Sequence, residues 1–479
     1  MTDRSFDQLL YQGAAQLPPE AAGQEPPAPW RKPLWRVCWG LALTSVTLNF
    51  LYLQYILPAL GSVLLYLGFR ALWRENGWLQ LGCVLSALLL LGRGAVTVLQ
   101  ATPATQWLAS QDGSLVSVSL ALVAWLLYFA LWRGLKGVFR KAGQRPETRS
   151  AGGLVVWYGL VLLLALVGSA GPLIWILLLL WALLLRGLYR TSRALDQAGY
   201  AIAPAPVHFS EQRVMLVWLG LLLAAVLSCL FLFRRYPVEA TPAQLETGQE
   251  TLRAELAELG FPEEVLADLT DGEVALLEGA QTVEAESFHS QDWGDSDELD
   301  RLAICFVQVE LPQGRVRYFL WFSWEESPSH RLREGLEILP DYDYMLTGIR
   351  SAPLFGRLLW EEDGQLCQAP IQGEYNPRTQ NSLFFGNSLD DTFAFHFSLP
   401  ARGDHIRGYV SYEMGIHQPD QQAVFNAQVN YVHQERWLVY PWEPPLQHQW
   451  QGWNNLDSTF PARQFLVTLF LNADTPEAE

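Results

Sequence analysis

A run of 33 residues between Arg36 and Arg70 carries no charged side chain, and it constrains the fold more than any other feature. A bilayer core about 30 Å thick is crossed by roughly 20 apolar helical residues. At about 1.5 Å per residue the run would make a helix of about 50 Å, too long for one span and slightly short for two. Pro58 and the polar residues near Gln54 predict a tight hairpin at the membrane surface, because backbone groups freed at a turn need water.

Five further apolar segments follow, so we predict an α-helical transmembrane bundle of about seven spans over residues 37–233. The alternative for the first run is a single kinked span, which would put Arg36 and Arg70 on opposite sides of the membrane. Each of the other segments is read as one span, and the two shortest, Leu154–Ser169 and Leu173–Leu185, form a second short hairpin that closes at residues 168–172. The five segments are Trp78–Leu99, Leu115–Leu131, Leu154–Ser169, Leu173–Leu185 and Val214–Phe233.

Lysine and arginine occur in alternate loops of this bundle. Sixteen of them fall in the N-terminal tail and three loops, and the intervening loops contain none. Cationic loops stay in the cytoplasm, so the Pro-rich tail over residues 1–36 is predicted to be cytoplasmic. An odd number of spans in the cell membrane then places the chain after Phe233 outside the cytoplasm. Arg234 and Arg235 are exceptions to this charge pattern.

The two halves of the chain carry opposite charge. Residues 1–233 contain 17 Lys and Arg against 9 Asp and Glu, a net charge of +8, whereas residues 234–479 contain 15 against 40, a net charge of -25. This difference excludes a single soluble globular domain. It also argues against a nucleic-acid partner, because phosphate neutralisation needs a basic surface. The predicted partners are the lipid bilayer and an unidentified protein or envelope ligand.

The acidic half begins with a helical pattern and continues with a strand pattern. Residues 234–285 are predicted to form a short membrane-proximal helical unit, in which Thr241 is an N-cap, Pro242 the first helical residue and Gly260 a C-cap. Residues 286–479 are predicted to form a mainly antiparallel, β-sandwich-like extracytoplasmic domain, with an open barrel as the alternative, because short runs of period two alternate with Gly and Pro.

Seven strands are predicted where aromatic and β-branched residues alternate with polar ones. Two turn signals, Pro312–Gly314 and Asp363–Gly364, predict hairpins between neighbouring strands. The predicted strands are Ala303–Leu311, Arg315–Ser323, Phe355–Glu361, Phe393–Leu399, Gly408–Tyr412, Gln428–Val432 and Phe465–Leu471.

Arg93 is the one charged residue inside a predicted span. A central guanidinium costs about 2.5–3.5 kcal/mol on insertion scales, so such a residue usually faces a cavity or a partner. Alternatively, Gly92 and Gly94 mark the outer end of a short span and Arg93 extends to the membrane surface. The predicted spans contain no Asp or Glu, which argues against a proton-coupled pump.

The acidic half contains no sequence motif for catalysis or cofactor binding, so neither a cofactor nor an enzymatic activity is predicted. Asp295, Asp297 and Asp300 lie close enough in the sequence to hold a hard cation such as calcium, which prefers oxygen ligands. The spacing of an EF-hand is absent. A solvated acidic loop explains the same residues.

Two further groups of residues in the acidic half have alternative interpretations. Trp442, Trp450 and Trp453 either stack on the sugar rings of a ligand or pack in the core. Cys305 and Cys367 either form a disulfide, as an oxidising location allows, or remain two buried thiols.

Three stretches carry a resemblance to a known group of proteins. They are PPAPWRKPLWRVCWGLALTSVTLNFLYLQYILPALG, LGFPEEVLADL, and RGYVSYEM followed by NAQVNYVHQ. Over most of its length the chain resembles multi-pass membrane proteins of Gram-positive gut bacteria that have a C-terminal β-rich extracytoplasmic domain. The resemblance implies this arrangement and a link to signalling, but no established activity.

Three hypotheses about function follow. The first is a membrane-embedded sensor or regulatory protein whose outer domain binds an envelope ligand or partner, and whose basic loops meet a cytoplasmic protein. The second is a transporter or channel subunit that uses Arg93 at an anion-accessible cavity. The third is an outer-surface hydrolase built on carboxylates, which has no motif to support it.

Overall fold

The chain forms a helical unit, residues 1–100 and 106–227, and a β-rich unit, residues 101–105 and 228–479. The structure is a computed structural model, and each unit is considered by itself. The described residues are 29–45, 50, 52–167, 173–197, 200, 202, 209–288, 298–342, 354–382, 386–415, 423–447 and 460–471.

Among the described residues, five helices are long and apolar enough to cross a membrane: α2, α3, α5, α7 and α8. The predicted number of seven spans is therefore wrong. The helices of this region are α1 (Arg31–Ser45), α2 (Leu53–Ala71), α3 (Gly77–Leu99), α4 (Ala104–Ala109), α5 (Gln111–Lys141), α6 (Arg149–Val167), α7 (Leu173–Gln197) and α8 (Glu211–Leu232).

Two helices that lie in predicted spans, α1 and α6, are not among the five that could cross a membrane. Helix α1 has 15 residues and contains the cations Arg31, Lys32 and Arg36, and the apolar segment of α6 is Arg149–Ala165. At about 1.5 Å per residue, the 15 residues of α1 fall short of the roughly 30 Å of a bilayer core. The turn predicted near Pro58 is also misplaced, because Pro58 lies inside α2.

Helices α1 and α2 nevertheless pack closely, and glycines make this contact possible. A Cβ atom at Gly40 would lie 2.7 Å from the side chain of Leu65 and 2.9 Å from the carbonyl oxygen of Gly61. A Cβ atom at Gly68 would lie 2.7 Å from the side chain of Val37. Such distances are below van der Waals contact, so larger residues would push the two helices apart.

Several helix ends meet at one end of the helical unit, which we call the basic end. Arg36 of α1 donates to the carboxylate of Glu211 at the start of α8. Lys141 at the end of α5 donates to the backbone carbonyl of Glu75, just before α3. These contacts bring together loops that were predicted to lie on one side of the membrane.

The β-rich unit contains one continuous antiparallel sheet in the order β11-β10-β5-β8-β7-β6-β9-β4-β3-β2, with β1 paired to β7. The predicted antiparallel arrangement is confirmed. The strands are β1 (Thr241–Pro242), β2 (Thr282–Phe288), β3 (Leu302–Leu311), β4 (Arg315–Trp324), β5 (Arg333–Tyr342), β6 (Phe355–Glu362), β7 (Gln365–Ser382), β8 (Gly386–Ser398), β9 (Asp404–Gly415), β10 (Ala423–His433) and β11 (Ala462–Leu471).

The sheet curls into a near-barrel, which corresponds to the open-barrel alternative and not to the sandwich of two sheets. The long strand β7 pairs with β6 over residues 365–371 and with β8 over residues 372–382, so the ladder stays continuous. The end strands β2 and β11 are linked because the carboxylate of Glu286 accepts from the backbone N–H of Thr468 at 3.1 Å. Aromatic rings fill the interior, among them Phe306, Tyr318 and Phe425.

Three short helices cover the outer face of β3, β4 and β9. They are α9 (Glu250–Glu258), α10 (Glu263–Asp268) and α11 (Asp271–Ala275), and we call them the helical segment. Their apolar side chains, including Phe261 and Leu266, pack on Phe319 of β4 and Tyr409 of β9. The helix predicted to begin at Thr241 is wrong, because the backbone of Thr241–Pro242 pairs with β7 instead.

Candidate ligand-binding site

A cavity of about 440 Å³ opens beside the helical segment, and we call it the arginine cavity. Two arginines lie in its wall, Arg317 on β4 and Arg357 on β6. The other polar lining residues are Glu273, Gln368 and Thr241, and the rest of the wall is apolar or glycine. Its size lies within the range of about 300–1,000 Å³ typical of small-molecule sites.

The alternation of side chains along strand β4 places Arg317 on the outer face of the sheet. Its neighbours Val316 and Tyr318 point into the barrel core, and successive strand residues point to opposite faces. The register puts Arg317 opposite Glu413 of β9, whose carboxylate accepts from Nη2 of Arg317 at 2.6 Å. Arg317 is 4% exposed, so this is a buried ion pair.

Arg357 has only neutral partners among the described residues. Its Nη1 donates to Oε1 of Gln368 at 3.1 Å, and its Nη2 donates to the backbone carbonyl of Asp268. Its guanidinium also lies 5.8 Å from the ring centre of Tyr409. Arg357 therefore brings a positive charge to the cavity that no nearby carboxylate neutralises.

Glu273 is the acidic residue of the wall, and its carboxylate is already engaged. It closes a capping box at the start of α11, accepting from the backbone N–H of Thr270 at 2.7 Å and from its hydroxyl at 2.9 Å. The same oxygen accepts from the hydroxyl of Tyr409. Burial, and then the charge of Glu273, raise the pKa of Tyr409, so this phenol stays a donor.

A second cleft, of about 490 Å³, lies next to Asp268. The Asp268 carboxylate is 2% exposed and accepts from Nε of Arg407 at 2.9 Å and from Nε1 of Trp321 at 2.9 Å. At the rim, Nδ1 of His405 lies 3.2 Å from the Glu361 carboxylate. Because Arg407 is paired with Asp268, this cleft has less unused hydrogen-bonding capacity than the arginine cavity.

The structure places Arg93 in α3 with its guanidinium turned towards neighbouring helices. It interacts electrostatically with the hydroxyls of Tyr128 and Tyr158, whose rings lie 5.0 Å apart. Its Nη1 is buried and has no hydrogen-bond partner among the described residues, and the same is true of Nε1 of Trp181.

The predicted cation site is not assembled in the described part of the chain. Asp300 lies 3.7 Å from Nη1 of Arg463 as an ion pair, while Asp295 and Asp297 lie outside the described residues. No group of three or more metal-ligating side chains occurs among the residues that the structure covers.

Of the three predicted tryptophans, Trp442 is described and it packs in the interior. It is 4% exposed, its Nε1 donates to the carbonyl of Phe233 at 2.8 Å, and the guanidinium of Arg333 lies 4.7 Å from the ring centre. In this position its faces are not open to a sugar ring. Trp450 and Trp453 lie outside the described residues.

Cys305 and Cys367 are free thiols in the structure. Cys305 on β3 faces the apolar cluster beneath the helical segment, whereas Cys367 on β7 packs against the barrel core. The structure therefore places the two thiols in separate clusters and does not bring them together.

A buried charged cluster around His433 was not foreseen from the sequence. Its Nδ1 lies 2.8 Å from the carboxylate of Glu334, its Nε2 lies 3.1 Å from that of Glu298, and the ring is fully buried. Burial alone would lower the pKa of His433, but Glu334 and Glu298 outweigh it and raise this pKa to about 10. The hydrogen bonds of His433, Ser329 and His330 hold the pKa of Glu298 well below its usual value, against the effect of burial.

The chain shows little similarity to known proteins. No protein-family model and no curated protein matches the chain. Among solved structures, one similar chain is the collagen-binding domain from a Staphylococcus aureus adhesin, at 14% identity and a TM-score of 0.18, covering 33% of this chain and 90% of that one. Another is described as a pore forming protein, at 6% identity and a TM-score of 0.14, covering 39% and 88%. At these TM-scores neither likeness carries an argument about fold or function.

Proposed function

We propose that the protein is a membrane-embedded sensor or regulatory protein whose β-rich unit binds a small envelope ligand in the arginine cavity. The observation that carries this proposal is a formed cavity in which a buried arginine and a second arginine without a carboxylate partner meet an apolar wall. Concave sites with a few convergent polar groups in an apolar wall are typical of small-molecule binding.

The predicted membrane orientation supports the same proposal. The cationic loops predict a cytoplasmic basic end, and the β-rich unit would then face the envelope. The first residues of the β-rich unit are tied to its sheet, since the backbone N–H of Tyr236 donates to the hydroxyl of Ser398 at 2.9 Å and Arg235 donates to the carbonyl of Leu399. A ligand-induced change in the sheet would therefore reach the chain segment that follows the last span.

A ligand screen on the full chain in detergent micelles tests the proposal. Thermal unfolding is measured with a panel of neutral sugars, amino acids, organic acids, phosphates and polyamines. Leu276 lines the cavity and is 45% exposed, so Leu276→Trp should fill the cavity with little disturbance of the fold. A ligand of the cavity should stabilise the natural protein and lose that effect in Leu276→Trp.

Leu259→Trp is the matched control, because Leu259 is 38% exposed in the same helical segment and is not part of the cavity wall. Ligands of the cavity should stabilise this variant as they stabilise the natural protein. The proposal is wrong if no compound of any class stabilises the protein, or if all hits act equally on both tryptophan variants.

A transporter or channel subunit is the second candidate, favoured by the environment of Arg93. A buried guanidinium with an unsatisfied donor is costly in a membrane and is common on ion pathways. In proteoliposomes, Arg93→Ala should abolish anion flux measured with a halide-sensitive dye. Arg74→Ala at the basic end serves as the control. Absence of flux in the natural protein would remove this candidate.

A further inference from the structure

We infer that the ligand of the arginine cavity is a small organic anion, held through a carboxylate or phosphoryl group. This inference rests on the proposed function, because it names the chemical class that the same cavity takes. It follows from the charge balance, the unused donors and the apolar remainder of the wall.

The charge balance around the cavity favours an anion. Arg317 and Arg315 share one carboxylate, that of Glu413, at 2.6 and 3.7 Å. Arg357 has only neutral acceptors among the described residues, and the adjacent Asp268 carboxylate is paired with Arg407. The guanidinium groups of Arg315, Arg317 and Arg357 therefore exceed the two remaining carboxylates, Glu413 and Glu273, by one charge. The unit around it is strongly acidic, which makes this local excess of positive charge specific to the cavity.

The donors around the cavity also exceed the acceptors. The Nε atoms of Arg317 and Arg357 are both buried and have no hydrogen-bond partner among the described residues. A buried donor without an acceptor costs about 1–3 kcal/mol, so an acceptor supplied by a ligand would stabilise either N–H. A small shift of either side chain would direct this N–H at an oxygen of a bound anion. Guanidinium groups bind carboxylate and phosphate oxygens by charge-assisted hydrogen bonds.

The other residues of the cavity wall indicate the chemistry of the rest of the ligand. Phe355, Pro370 and Leu276 offer apolar surface, and Gln368 and Thr241 offer neutral polar groups. The one carboxylate of the wall, Glu273, accepts from Thr270 and Tyr409 through a single oxygen, Oε2, and the two arginines of the wall outnumber it. A molecule with one anionic group and an apolar or neutral body satisfies all parts of the wall.

Isothermal titration of the full chain in detergent micelles tests this inference with two probes, inorganic phosphate and hexanoate, at constant ionic strength. We expect at least one probe to bind, and the stronger of the two identifies phosphoryl or carboxylate as the preferred group. Arg357→Gln keeps a planar donor group but removes the charge, and should weaken binding at least tenfold. Arg301→Gln should bind like the natural protein, because Arg301 is 51% exposed and pairs with Glu326 on the surface.

Arg357→Gln is the informative variant because Arg357 has no ion pair with any described residue whose loss would threaten the fold. Leu276→Trp provides a second block of the cavity with all charges retained. The inference is wrong if neither probe binds, or if Arg357→Gln and Leu276→Trp bind as tightly as the natural protein. If neutral or cationic compounds bind instead and are blocked by Leu276→Trp, the anion assignment fails while the proposed binding function stands. If no compound of any class binds, the proposed function fails as well.

Discussion

At the scale of single residues, the β-rich unit depends on buried ionic groups, of which His433 is the clearest. Its pKa is raised from the ordinary value of 6.5 to about 10, because the protonated ring lies between Glu334 and Glu298. A raised folded-state pKa contributes stability that is fully present below about pH 6.5 and is lost as the pH rises through about 10. The pair of carboxylates therefore makes folding sensitive to alkaline pH.

We predict that the free energy of unfolding of the β-rich unit falls between pH 7 and pH 10, by up to about 4 kcal/mol if the whole shift is realised. Thermal unfolding of the full chain at a series of pH values measures this loss. Glu298→Gln should reduce the dependence of the free energy of unfolding on pH, because it removes one of the two negative charges that favour the protonated form of His433.

His405→Gln is the control for this measurement, since His405 is 72% exposed at the rim of the second cleft. Its pH profile should match that of the natural protein. An unchanged profile in Glu298→Gln, or a natural protein equally stable at both pH values, would contradict the assignment of a charged His433.

At the scale of secondary-structure elements, the hairpin turns could be predicted from the local sequence, whereas the pairing of strands distant in the sequence could not. Both predicted hairpin turns are present, and their central residues adopt left-handed backbone with φ of 68° and 67° at Gln313 and Gly314 and of 52° and 77° at Asp363 and Gly364. Positive φ at two successive turn positions matches the twist of antiparallel strands. All seven predicted strands lie within or largely overlap observed ones.

The strands that were missed contain polar residues whose partners lie far away in the sequence. Strand β5 includes Glu334 and Glu337, both buried, and these charges hide the apolar alternation that predicts a strand. Their partners on β10 explain them: His433 lies against Glu334, and Nδ2 of Asn430 donates to Glu337 at 3.1 Å. Such pairs become visible only when β5 and β10 are known to be neighbours.

Two glutamates of β2 form hydrogen bonds with β11, where the two end strands of the sheet meet. Glu284 and Glu286 accept from the backbone N–H groups of Phe470 and Thr468 at 2.6 and 3.1 Å. Without them, β11 would be an open edge that also exposes the apolar side chain of Leu466, which is 71% accessible. Exposed apolar edges promote pairing with other chains.

We predict that the double substitution Glu284→Ala, Glu286→Ala speeds amide hydrogen exchange of β11 by about tenfold, which corresponds to a loss of about 1–2 kcal/mol for two hydrogen bonds. Exchange followed by mass spectrometry on peptides covering Ala462–Leu471 measures it. Glu255→Ala, an exposed position on α9, should leave exchange of β11 unchanged. Equal exchange in the double variant would show that the barrel is closed by other contacts.

At the scale of the whole molecule, the split in net charge is a property of the sequence itself, whereas the candidate site could not be anticipated from it. The split was placed after Phe233, and the two units divide at Leu227 and Ser228. The arginine cavity, by contrast, takes its wall from the helical segment and from β1, β4, β6 and β7. Arg317 and Arg357 are ordinary strand residues until the sheet order places them on the same outer face.

Helix α8 is the last of the five helices, among the described residues, that are apolar enough to cross a membrane, so its path decides where the following chain is expected. Helix α8 begins at the basic end, where Glu211 meets Arg36, and its 22 residues extend about 33 Å to Leu232. That length matches a bilayer core of about 30 Å. The chain that leaves α8 should therefore lie across the membrane from Arg145, which follows the end of α5 at the basic end.

A reporter enzyme that is active only outside the cytoplasm tests this expectation in cells. Fused after Phe233 it should be active, and fused after Arg145 it should be inactive, because cationic loops are retained in the cytoplasm. A cytoplasm-specific reporter at the same two positions gives the complementary control. If the extracytoplasmic reporter is active after Arg145 and silent after Phe233, the β-rich unit faces the cytoplasm. A ligand of the arginine cavity would then have to be sought among cytoplasmic molecules and not among those of the envelope.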